Sequence, residues 1–170
     1  LSGKYTKRSN EFLKLDKVYE ATMKLGYTST TGDPEGDITE VTTPQHDNTI
    51  PEAILLDVLN SFVGTITQTP PKFSAIKING QRAYALARKG QDFEIPSRQV
   101  EIYAIDIIHY NYPYLTIRVH CSSGTYIRTL AEDIGKALGT GAYLTALRRT
   151  EVGDYSVDAA TRLADFIDMV

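Results

Sequence analysis

The stretch Cys121-Ser122-Ser123-Gly124-Thr125-Tyr126-Ile127-Arg128-Thr129-Leu130 has the residue types and spacing best suited to chemistry. An alternating apolar run delivers the chain to a small, glycine-containing turn, and a helix is predicted to begin there. Free backbone N–H groups at a helix start favour anionic ligands. Arg128 falls in the first helical turn, off the stripe formed by Ile127, Leu130 and Ile134. A cation at that end opposes the helix dipole, so its placement needs another reason. Its planar fork can grip a carboxylate or phosphate with two bonds. The alternative is a surface arginine paired with Glu132 or Asp133, and spacing alone does not choose.

Other chemistry-bearing types are sparse. His46, His109 and His120 have no metal-ligand spacing with Cys121, so no metal site is expected. A single cysteine excludes an internal disulfide and fits a reducing compartment, which makes a cytoplasmic location the default. No run approaches the roughly 18 apolar residues needed to span a bilayer, and the basic start, Lys4 to Arg8, leads into no apolar signal core.

The net charge of −3 argues against nucleic acid only if it is evenly spread. Residues 28–57 carry seven acidic side chains and no Lys or Arg. Residues 72–98 carry six basic ones (Lys72, Lys77, Arg82, Arg88, Lys89 and Arg98) against Asp92 and Glu94. Such a local basic face can hold phosphates whatever the global sum, although an ordinary solvated surface would look the same.

Periodicity supplies the elements that must position these residues. Residues 17–25 alternate as a strand, with Tyr19, Ala21, Met23 and Leu25 on one face. Thr28 to Gly36 reads as a loop. Pro51 opens a helix with the stripe Ile54, Leu55, Val58, Leu59 and Phe62. Phe73 to Ile78 reads as a strand ending at an Asn79-Gly80 turn, and Arg82 to Lys89 as a short helix stopped by Gly90. Val100 to Ile108 and Leu115 to Cys121 are predicted to pair through Asn111-Tyr112-Pro113-Tyr114. A helix over about 125–138 ends at Gly139, Leu144 to Val152 is ambiguous, and Asp158 is expected to cap a closing helix to Met169. The sum is an α+β (mixed α/β) domain with a largely antiparallel sheet flanked by helices.

Four stretches in order carry a family resemblance. CSSGTYIRTLAEDIGKALGTGAYLTALRRTEVG resembles the closing motif of the tRNA pseudouridine-55 synthase (TruB) family. TPPKFSAIKINGQRAYALARKG resembles that family's Pro-rich, Ser-Ala-x-Lys, Tyr-x-x-Ala-Arg segment. LDKVYEATMKLG resembles its strand with a central tyrosine, and GDPEGDI the loop that follows. Each motif is weak alone, but their order across about residues 15–153 makes chance similarity implausible.

The resemblance implies roles. Tyr19 would stack on the flipped uracil, and Arg128 would pair with the nucleophilic aspartate. Tyr126 and Leu147 would line the uridine pocket, with Arg148 and Arg149 nearby for phosphates. Lys77, Arg82 and Arg88 would contact RNA from the 72–98 segment, and Asp33 would support the active-site loop. Without the resemblance, Tyr19 is a half-buried strand aromatic and Leu147 a core residue. The reaction breaks a glycosidic bond, turns the base and rejoins it through carbon 5, so no cofactor is implied. The base must leave its stack, and aromatic stacking offsets roughly 1–3 kcal/mol of that cost. A carboxylate takes part covalently or stabilises the transient sugar species, and an arginine beside it fixes its aim.

One departure stands out. The family's nucleophile lies in a Gly-Thr-Leu-Asp-Pro-Leu-Ala-Thr-Gly type motif, which would precede residue 1 and is not in this sequence. Asp33-Pro34 repeats the dipeptide, but TTGDPEG is a hydrophilic turn matching the later loop. The expectation is a partial catalytic domain over 1–170, with 72–98 an RNA-contacting insertion and 158–170 the start of a C-terminal extension. It would act as a monomer on the tRNA T-arm when the upstream segment is present, and as an inactive tRNA-binding piece without it.

Overall fold

The computed structural model describes residues 3–41, 49–78 and 80–162; His46 and Asn79 lie outside them. A 3-10 helix, Gly3–Arg8, runs into α1 (Ser9–Leu13). Strand β1 (Lys17–Leu25) follows the predicted alternation, with Ala21, Met23 and Leu25 fully buried and Tyr19 half-buried. Lys17, at its start, is a buried lysine. Its ammonium donates to the carbonyls of Phe12, Leu13 and Leu15, where a cation suits a helix C-terminus.

The stretch from Thr28 is not a loop throughout. β2 (Tyr27–Ser29) pairs with β3 (Ile38–Glu40), and the turn occupies only the residues between them. Its hydroxyls build it: Ser29 Oγ donates to the Asp33 carbonyl and Thr31 Oγ1 to the Asp33 carboxylate. α2 (Glu52–Ser61) follows Pro51 and buries Leu55 and Leu59, while Ile54 of the predicted stripe faces solvent. β4 (Gly64–Gln68) comes next.

The strand expected from Phe73 shrinks to β5 (Lys77–Ile78), paired with β6 (Gln81–Arg82). The carbonyls of Ser74 and Ile76 are taken by the N–H groups of Tyr84 and Ala83 at the start of α3 (Ala83–Arg88), so this stretch anchors a helix instead of joining a ladder. β7 (Arg98–Asn111) and β8 (Tyr114–Cys121) form the predicted hairpin, with β7 longer than expected because Arg98 and Gln99 pair with Gln68 and Thr67. Leu115, Ile117, Val119 and Cys121 are fully buried, and burial pushes the Cys121 thiol up to about 11.

α4 (Ile127–Ala137) is followed by β9 (Ala142–Val152), so the ambiguous stretch is a strand. The hydroxyls of Thr145 and Thr150 donate to the carbonyls of Thr22 and Val18 and hold β9 on β1 through two irregularities in register. β10 (Tyr155–Ser156) leads into a 3-10 turn over Val157–Ala159. Asp158 is not the cap: Ser156 Oγ accepts its N–H, and Ala160 is already extended. Most of the predicted closing helix lies outside the described residues.

The main sheet runs β10-β9-β1-β8-β7-β4, with every neighbouring pair antiparallel. This is the expected α+β fold. α2 and α4 cover one face, where Leu55, Leu59, Ile127, Leu130 and Ile134 meet Met23, Leu115, Ile117 and Leu144 in one core. Gly135 lets α4 lie against β9; a Cβ there would come within 2.2 Å of Ala142 N and 2.4 Å of Gly141 C. No helix among the described residues is long and apolar enough to cross a membrane.

Candidate active site

Arg128 stands in the first turn of α4, off the core stripe, and its guanidinium does not point into bulk water. Nη1 donates to Asp33 Oδ2 at 2.7 Å and to the Thr31 carbonyl at 3.1 Å, and Nη2 to the Phe73 carbonyl at 3.4 Å. The two side chains of the ion pair are only 25% and 23% exposed. Neither Glu132 nor Asp133 is the partner that local spacing offered; Asp133 pairs with Lys136. The other Asp33 oxygen accepts from Thr31 Oγ1 and the Glu35 N–H, so both oxygens of the carboxylate are engaged.

Close packing fixes this arrangement. Gly32 adopts φ +74°, and a Cβ there would lie 2.1 Å from Glu132 Oε1 and 3.0 Å from Arg128 Cγ. Its carbonyl accepts the Leu144 N–H, which pins the turn to β9. Burial raises the Glu132 carboxyl above its ordinary value; Lys136 and Arg128 pull it back down.

Tyr126 precedes α4 and has no capping side chain. The Gln68 side-chain amide serves it instead: Oε1 accepts the Tyr126 N–H at 3.0 Å and Nε2 donates to the Tyr126 carbonyl at 3.3 Å. Arg98 donates to the Gly124 carbonyl and lies over the Tyr126 ring, 5.0 Å from its centre. Sequence alone does not pick out Gln68 or Arg98 as site residues. No motif marks either of them, because their role depends on which strand end meets the turn.

Tyr19 sits on the core-facing side of β1. Burial raises its hydroxyl above the usual phenol value, and the Arg149 guanidinium acts the other way. Arg149 is its partner across the β1–β9 pair, and Leu147 is opposite Ala21, so all four share a face. Leu147 is 48% exposed and is therefore no core residue. Arg149 also lines a cavity of about 470 Å³ with Lys17, Phe12, Leu13 and Tyr155.

Arg148 is separated from this group. It lies opposite Glu20, which pairs with Arg118 at 3.3 Å, on the other face of the sheet. Parity explains the split, since adjacent strand residues point to opposite faces. Lys77 and Arg82 face each other across the β5–β6 hairpin, and Arg82 donates to the Ala75 carbonyl at 3.2 Å. Arg88, in α3, lies over the Tyr84 ring. His120 packs against Tyr103 with the two rings tilted.

Comparison with known proteins gives a consistent answer. Residues 1–127 match the family model described as TruB family pseudouridylate synthase (N terminal domain), and residues 128–170 match that of the tRNA pseudouridylate synthase B C-terminal domain. The boundary between the two matches falls within α4, and strands on either side of it, β8 and β9, belong to one sheet. The chain is 48% identical to a tRNA pseudouridine synthase B of Burkholderia mallei over 95% of its own length and 52% of that protein. It is 49% identical to the Dechloromonas aromatica protein of that name over 96% and 53%, and 45% identical to that of Parabacteroides distasonis over 98% and 71%. The chain thus spans about half the length of the first two relatives. Among solved structures it resembles a chain in a Cbf5-Nop10-Gar1 complex, with TM-score 0.67 and 29% identity over 95% of this chain and 38% of that one. It also resembles a chain in an H/ACA RNP bound to a substrate RNA containing 2'-deoxyuridine, with TM-score 0.64 and 26% identity over 96% and 37%.

Proposed function

Because the chain belongs to the TruB family of pseudouridylate synthases, we propose that it forms the larger part of a catalytic domain that isomerises the T-loop uridine of tRNA, position 55, to pseudouridine. The nucleophilic aspartate comes from a segment upstream of Leu1. The domain works without a cofactor, as a monomer in the cytoplasm, with residues 72–98 reaching over the T-arm and 158–170 beginning a C-terminal extension.

The observation that carries this reading is the half-committed guanidinium of Arg128. A guanidinium has five N–H donors. Among the described residues, three go to Thr31, Asp33 and Phe73, leaving Nε and one Nη2 donor for a second carboxylate. Asp33, with both oxygens hydrogen-bonded, holds Arg128 in place and does not attack. The incoming aspartate would be kept ionised and aimed by the free side of the fork. Tyr19 supplies the apolar plane on which the flipped uracil stacks. Half-buried on the core side of the strand, it holds its ring in a fixed place. Leu147, exposed on the same face, and Tyr126, fixed before α4, wall the pocket. Lys77, Arg82, Arg88 and Arg149 face phosphates; Arg148 meets a different stretch of backbone from the opposite face.

The test is pseudouridine formation on a T-arm stem-loop RNA. The protein carrying the upstream segment is expected to give product, and residues 1–170 alone none. Product from the 170-residue chain would overturn the placement of the nucleophile. A longer protein that binds the stem-loop without isomerising it would make this a tRNA-binding module instead of an enzyme.

A further inference from the structure

We infer that Gln68 and Arg98 are positioning residues that clamp Tyr126 and thereby set the aim of Arg128, two residues further along. This rests on the function proposed above. The two residues face each other across the β4–β7 pair, so their side chains leave the sheet on one face and converge on a single target. Gln68 occupies the core-facing position of β4, two residues after Ile66, and is 1% exposed. If burial were the only demand, an apolar residue would serve better, because a buried amide is costly unless paired. Its amide spends both ends on the backbone of Tyr126. That carbonyl also receives the Leu130 N–H, so Gln68 fixes the residue at which α4 begins in place of a capping side chain.

Arg98 controls the ring. It spans the turn from the Gly124 carbonyl to the Tyr126 face, while its own Nε is buried and has no partner among the described residues. That placement is not the one that best satisfies the arginine; it is the one that immobilises the turn. A Cβ on Gly124 would sit 3.2 Å from Arg98 Nη2, so the contact is close. Rotation of Tyr126 would carry the start of α4 with it, and misplacement by about 1 Å at a reacting centre can cost on the order of 100-fold in rate.

The test uses the protein with its upstream segment and the variants Arg98→Lys, Arg98→Ala and Gln68→Met. Single-turnover conversion, stem-loop affinity with its salt dependence, and amide exchange over 126–130 are measured for each. Conversion is expected to fall about 10-fold or more, with affinity held within about 3-fold and an unchanged salt slope. Lys should not rescue, since it lacks the flat fork that stacks on the ring and reaches Gly124. Amide exchange at 126–130 should quicken in every variant, a readout independent of activity if the wild-type protein proves not to be a synthase. Weakened binding with a shallower salt slope, restored by Lys, would overturn the proposal by making Arg98 a phosphate contact. Unchanged conversion, or unchanged exchange in a folded variant, would overturn it as well. Should Gln68→Met fail to fold, Arg98→Lys decides alone, because Arg98 is only partly buried and lies outside the hydrophobic core.

Discussion

Arg128 takes its partner from 95 residues away in sequence, although two acids of its own helix lie within reach. The turn at Asp33 wins because its carboxylate is already oriented by Thr31 and Glu35, so little freedom is lost on pairing. Glu132 is left beside this pair, half-buried and crowded against Gly32. Its carboxyl pKa is raised by burial, so the folded state binds its proton more tightly than the unfolded chain does. The resulting penalty is absent in acid and grows as pH rises above the ordinary value of 4.5. Glu132→Gln should therefore raise the melting temperature at pH 7–8 but not at pH 4. The gain should stay below about 1 kcal/mol because the group is partly solvated. A gain that is equal or larger in acid would contradict this account. At this scale the sequence identified Arg128 as unusual for its position, and the motif supplied a reason. It could not identify Asp33 as the partner, since that depends on the β2–β3 hairpin folding over the sheet.

At the scale of elements, most of the fold was legible because alternation and helical stripes are enforced by one buried face. β1, β8 and α4 lie close to their predicted limits. The failures have local causes. Residues 73–76 look like a strand, but their carbonyls are used to start α3. Residues 144–152 mix apolar and charged types because one end of β9 is buried and the other opens to solvent. Arg148 and Arg149 could not be sorted until the register was known. The α4–β9 contact is the joint on which the site depends, and Gly135 is where it is tightest. In an exposed helix, Gly→Ala would favour folding by about 1 kcal/mol. Here the new methyl would meet backbone atoms at 2.2 and 2.4 Å, which no side-chain rotation relieves. Gly135→Ala should destabilise the protein by about 1–3 kcal/mol, read as a lower denaturation midpoint; an unchanged or higher midpoint would show that α4 and β9 are not held this closely.

Across the whole molecule, the net charge of −3 conceals a segregation of acidic and basic stretches. The acidic stretch 28–57 supplies the β2–β3 hairpin and α2, and the basic stretch 72–98 supplies the β5–β6 hairpin and α3. Sequence revealed this segregation but not that Arg82 would be partly spent on the Ala75 carbonyl and Lys72 on Asp92. Under the proposed function, Arg128 is fixed by Asp33 and takes a carboxylate from outside these 170 residues while other groups bind the RNA. Single-turnover pseudouridine formation by the protein with its upstream segment, wild type against Arg128→Ala, measured alongside stem-loop affinity, tests this. The expected result is a loss of conversion of about 100- to 1,000-fold, because the aspartate loses its aim and its counter-charge, with affinity changed less than about 5-fold. Near-wild-type conversion, or conversion and affinity lost in equal measure, would contradict the account.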